Sequence, residues 1–68
     1  MSTIREKIVE ASRIHFESHI SKHIVNVELL LEHPSGIAEH PDIMDTVEKE
    51  LEQIAEYHDK LEMLNKYF

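Results

Sequence analysis

Both prolines and the only glycine of this 68-residue chain fall within ten residues, H-P-S-G-I-A-E-H-P-D, from His33 to Asp42. Proline removes a backbone donor and fixes φ, and glycine frees the chain to turn, so this stretch is where a helix has to stop. The segments on either side contain neither residue. The chain therefore reads as one domain, residues 1–68: a helix over about 4–33, a corner over 34–41 and a helix over about 42–66. The expected fold is all-α, a two-helix antiparallel hairpin.

Cap residues mark the starts. Thr3 followed by Glu6 fits a capping box, in which hydroxyl and carboxylate each satisfy an orphan backbone N–H. The second helix opens with His40 or Asp42 as cap, Pro41 suiting its first turn. Within it Met44, Val47, Leu51, Ile54, His58, Leu61, Asn65 and Phe68 recur at alternating spacings of three and four, the period of a coiled-coil seam. His58 and Asn65 are the two polar members of that row.

The first helix has no single stripe. At about 100° per residue, Val9, Phe16, Ile20, Ile24, Val27, Leu30 and Leu31 form one apolar sector. Ile4, Ile8, Ala11, Ile14, Val25 and Leu29 form a second on nearly the opposite side. Glu6, Glu10, Glu17, Ser21 and Glu28 lie between them. A helix apolar on two sides is buried on two sides. One side receives the second helix; the other, Ile4 to Leu29, is the expected oligomer interface. The hairpin is thus expected to assemble into a homo-oligomeric helical bundle.

Size points the same way. A lone core this small rarely contributes more than about 3–5 kcal/mol without a staple. The chain has no cysteine, hence neither a disulfide nor a thiolate metal site. The net charge of −7 is uneven. Residues 1–33 carry four basic and five acidic side chains, and residues 34–68 carry three and nine. So acidic a second half argues against a nucleic-acid partner, since phosphate affinity comes from lysine and arginine. Acidic mimicry of DNA is a lesser alternative, because acidic helices usually serve solubility. No apolar run approaches the roughly 20 residues of a membrane span, and M-S-T-I-R-E-K lacks a signal peptide's apolar segment. No membrane partner and a cytoplasmic location are expected.

The six histidines are the most suggestive count. His15, His19 and His23 recur every four residues and share one helical face, with Asn26 and Ser12 close to the same strip. Histidines at i and i+4 can ligate one metal, but the first and third of three lie about 12 Å apart along the axis. A site between chains, two histidines from each, remains open. The competing reading is a row of half-buried boundary residues. His15, His19, His23, Asn26 and Arg13 are the candidate ligand-binding residues. His33, Pro34, Gly36, Glu39, His40 and Asp42 form the corner motif, whose polar members suit turns and caps as well as a ligand rim. Tyr57 with His58, or Glu39 with His40, could be drawn as an acid–base pair, but a thin hairpin has no enclosed pocket to tune either. No catalytic motif is present, so no enzyme activity and no cofactor are expected.

The corner H-P-S-G-I-A-E-H-P-D-I at 33–43 and the ending D-K-L-E-M-L-N-K-Y-F at 59–68 resemble short proteins of T-even-type tailed phages, including marine phages. These share a P-x-G-I-x-E-H-x-D-I corner and a D-K-L-E ending. The likeness covers the C-terminal half and, more loosely, the helix before it; Ala38 departs from it where a second glycine is expected. It implies a phage accessory protein made in the host cell cytoplasm and carries over no functional residues. The leading expectation is a non-catalytic homo-oligomeric hairpin binding a host or phage protein. One alternative is a sponge holding a small nucleotide signal between subunits, with Arg5, Arg13 and Lys22 as basic candidates. Another is a histidine-based metal-binding oligomer. A minor virion component is a fourth.

Overall fold

Helix α1 runs Ile4–Glu32 and helix α2 runs Ile43–Tyr67, and the two pack against each other as a hairpin. This is a computed structural model, and it describes residues 2–32 and 42–68. The expected corner, including His33, Pro34, Gly36, Glu39 and His40, lies outside the described residues.

The starts follow the cap chemistry. Thr3 Oγ1 accepts the Glu6 N–H at 3.1 Å, while the Thr3 hydroxyl donates to Glu6 Oε1 at 3.2 Å. The carboxylate thus turns to the side chain of its cap, where the reciprocal box would send it to the backbone N–H. Asp42 caps α2, its carboxylate accepting the Asp45 N–H at 3.0 Å. Lys66 in the last turn of α2 suits the negative end of the helix dipole, whereas the last turn of α1 holds no base.

Cross-helix bonds fix an antiparallel register. Arg5 Nη2 donates to the Phe68 carbonyl at 3.3 Å, Arg13 Nε to Asn65 Oδ1 at 3.2 Å, and His23 meets Glu50 further along. The outer ends of α1 and α2 therefore share one pole, and Leu30, Ile43 and Val47 come together at the other.

The seam of α2 differs from its apolar row. Ile43, Val47, Glu50, Ile54, Tyr57, Leu61 and Leu64 are partly covered, together with Thr46, Gln53 and Met63, whereas Met44, Leu51, His58, Asn65 and Phe68 are exposed. Val47, Ile54 and Leu61 belong to both rows. The alternate members sit one residue earlier than the hydrophobicity pattern predicts, which turns Met44 and Leu51 out to solvent. The cause lies on α1: its covered face contains Val9, Phe16, Ile20, Val27 and Leu30, but also His19, His23 and Asn26. A polar strip on one helix pairs with Glu50 and Tyr57 on the other, and α2 rotates to present them.

Little is enclosed. Leu30, 8% exposed, is the one buried side chain among the described residues. The second sector of α1 is uncovered: Ile4, Ile8, Ile14, Val25 and Leu29 are all more than half exposed. The molecule measures 52 × 19 × 15 Å, with a radius of gyration of 15.8 Å; a compact 68-residue domain would have about 11 Å. Its accessible surface is 5453 Å². A folded monomer of 8.0 kDa typically exposes about 4,450 Å².

Candidate functional site

The polar part of the α1–α2 seam is built from the four-residue spacing of His15, His19 and His23. That spacing lays three imidazoles along one flank of α1, and Tyr57 of α2 lies across them. The His19 ring stacks on Tyr57 with centroids 4.3 Å apart and planes 13° from parallel. His15 meets His19 edge-on at 4.5 Å, and His23 lies nearly parallel to Tyr57 at 6.4 Å. Phe16 stands 6.2 Å from Tyr57 on the apolar side. Lys60, one turn beyond Tyr57, places its ammonium 5.1 Å from that ring's centroid, within cation–π range.

Next to the stack lies one carboxylate with two donors. Glu50 Oε2 is 2.5 Å from His23 Nδ1 and accepts from Asn26 Nδ2 at 3.2 Å. Both side chains of the His23–Glu50 pair are largely covered. The His23 hydrogen bond, helped by Asn26 and opposed by partial burial, holds the Glu50 carboxyl below its ordinary value. His19 is shifted down as well, first by partial desolvation and then by the positive potential of His15, Lys22, His23 and Lys60. Its Nδ1 is covered and has no hydrogen-bond partner. Neutral imidazole suits that environment, since a charge there would be poorly solvated and surrounded by like charges.

The structure therefore unites four of the five candidate ligand-binding residues. His15, His19 and His23 form the stack, and Asn26 joins through Glu50. Arg13 stands apart on the opposite flank, paired with Glu10 and bonded to Asn65. At 100° per residue it points well away from the histidine row. Of the other basic side chains considered for an anionic ligand, Arg5 is bonded to Phe68 and Lys22 alone neighbours the histidines. Asp42, the described member of the corner motif, is engaged as a helix cap. His58 is solvent-exposed beside Glu62, 3.9 Å away.

Among the described residues no group of three or more histidines and carboxylates is arranged to hold a metal ion. Glu50, the carboxylate that reaches the stack, is occupied by His23 and Asn26. Glu50 escaped the sequence reading, and Tyr57 entered it only as a neighbour of His58. The available signal was a second row in α2, Ile43–Glu50–Tyr57–Leu64, spaced seven apart like the chosen one but carrying a charge. What the arrangement does chemically is orient two helices: a directional, partly covered polar layer specifies register where apolar contacts alone would slide. Among the described residues, no helix is long and apolar enough to cross a membrane.

Comparison of the chain with protein-family models, with curated proteins and with solved structures finds no match.

Proposed function

We propose that this chain is the subunit of a homo-oligomeric helical bundle, a non-catalytic accessory protein of the phage type that acts by binding a host or phage protein. One observation carries the reading. Among the described residues, the hairpin encloses a single side chain and leaves eleven large apolar residues between 42 and 78% exposed. Monomeric proteins rarely tolerate so much uncovered apolar surface, and at about 25 cal/mol per Å² its burial is a strong drive to associate. The excess of roughly 1,000 Å² over a typical monomer of this mass is close to the roughly 800 Å² that a standard interface removes from each partner. Ile4, Ile8, Ala11, Ile14, Val25 and Leu29 on the back of α1 are the surface for the second copy.

Sedimentation at micromolar concentration tests the assembly. A multiple of 8.0 kDa is expected, and Ile8→Lys together with Leu29→Lys should reduce it, because lysines would enter a dry interface. A well-behaved single-chain species of the unsubstituted protein sinks the reading. Native mass spectrometry of protein taken directly from cells covers the competing uses of the histidine row. A stoichiometric nucleotide or metal would put the sponge or the metal-binding oligomer ahead of protein binding.

A further inference from the structure

At the pole away from the Arg5–Phe68 bond, the two helices leave an open apolar groove of about 550 Å³. Leu30, Leu31, Ile43, Met44, Val47 and Leu51 line it together with Glu48, the charged member of the lining among the described residues. It is separate from the back of α1, and it exists because α2 is rotated to face the histidine row, which leaves Met44 and Leu51 on the flank.

Both banks of this groove are acidic. On α2, Glu48 lies four residues after Met44 and three before Leu51, and Glu52 follows one turn later, so the carboxylates border the apolar pair. On α1, Glu28 lies one turn before Leu31. All three are exposed, and the ion pairs formed among the described residues involve other acids. A second copy in the groove would bring these carboxylates against their own kind, and like charges across an interface disfavour it. The back of α1 differs, since Lys7 and Lys22 lie among its apolar residues.

We infer that this groove is the partner-docking surface, and that its occupant is a basic amphipathic helix of another protein. Apolar anchors at i, i+3 or i+4, and i+7 would fill the channel, and lysines or arginines on its margins would face Glu28, Glu48 and Glu52. Met44 at the mouth is flexible enough to adapt to different anchors. The inference deepens the protein-binding reading above and rests on it.

The test uses the full chain and an 18-residue fluorescent peptide with leucines on one helical face and lysines on the other. Its controls are a scrambled peptide of equal composition and a counterpart with glutamates for lysines. Fluorescence anisotropy should show saturable binding of the lysine helix alone, weakened as salt is raised. Leu51→Lys should weaken it about tenfold or more, as loss of a central anchor does, and the paired substitution Glu48→Lys with Glu52→Lys should do likewise. Both variants alter exposed positions, and the sedimenting mass should stay that of the unsubstituted protein. Equal binding of the scrambled or acidic peptide, no binding at all, or full affinity in Leu51→Lys overturns the inference. So does a fall in mass on Leu51→Lys, which would place a copy of the chain in the groove. A single-chain mass with intact peptide binding would instead sink the self-association reading and leave the groove assignment standing.

Discussion

His19 is the residue whose environment is most particular. It stacks on Tyr57, its Nδ1 lacks a partner, and nearby cations disfavour its charged form. Because its folded value lies below the ordinary 6.5, the unfolded chain takes up the proton first as pH falls. Its contribution to stability is therefore present above about pH 6.5 and declines as pH drops through the folded value. Glu50, held below 4.5, acts in the same direction but in a lower window. Thermal melts should show a loss between pH 7.5 and 5.5, and a second one below about 4.5. His19→Phe keeps the stacking and removes the unpartnered nitrogen; its melting temperature at pH 7.5 should equal or exceed that of the unsubstituted protein, and the upper-window loss should shrink. An unchanged slope there would contradict the role given to His19. Glu50→Ala strands the donors of His23 and Asn26 and should cost about 1–2 kcal/mol in denaturant melts at neutral pH.

At the scale of the helices, the two long segments were legible because their boundaries are chemical: Thr3, Asp42 and the crowd of breakers between them. Removing the acceptor by Asp42→Ala should destabilise by about 1 kcal/mol, read as a lower urea midpoint with an unchanged slope. The seam of α2 was legible only in half. Hydrophobicity finds Val47, Ile54 and Leu61, which any register must use, and then prefers Met44 and Leu51 to Ile43 and Glu50. The preference fails because α1 brings histidines to the same interface, and a carboxylate with two donors outweighs an apolar residue that has another outlet. That decision belongs to the pair of helices and cannot be read from either alone. Arg13 shows the same limit from the other side: close to the histidines in sequence, it is turned by helical geometry to Glu10 and Asn65.

At the scale of the molecule, three zones follow one another along a 52 Å rod. Polar ties lie at one pole, the aromatic and histidine layer at the waist, and the apolar groove with acidic banks at the far pole. The self-association proposed for the back of α1 would leave that groove uncovered. A rise in salt should accordingly leave subunit number unchanged while weakening a basic ligand, since burial of apolar surface is insensitive to screening and charge complementarity is not. Sedimentation and peptide titration at 50 and 500 mM salt, run on the same sample, check both halves.

The tie between Arg5 and Phe68 has a practical corollary. With no native thiol in the sequence, Ser2→Cys and Tyr67→Cys can each carry a dye, and the two dyes will sit side by side while the helices stay folded together. Splayed end to end, two helices of 29 and 25 residues would hold them roughly 80 Å apart at 1.5 Å per residue. Energy transfer between those labels would then serve as an optical ruler, reporting in real time whether acid or a docked peptide prises the arms apart.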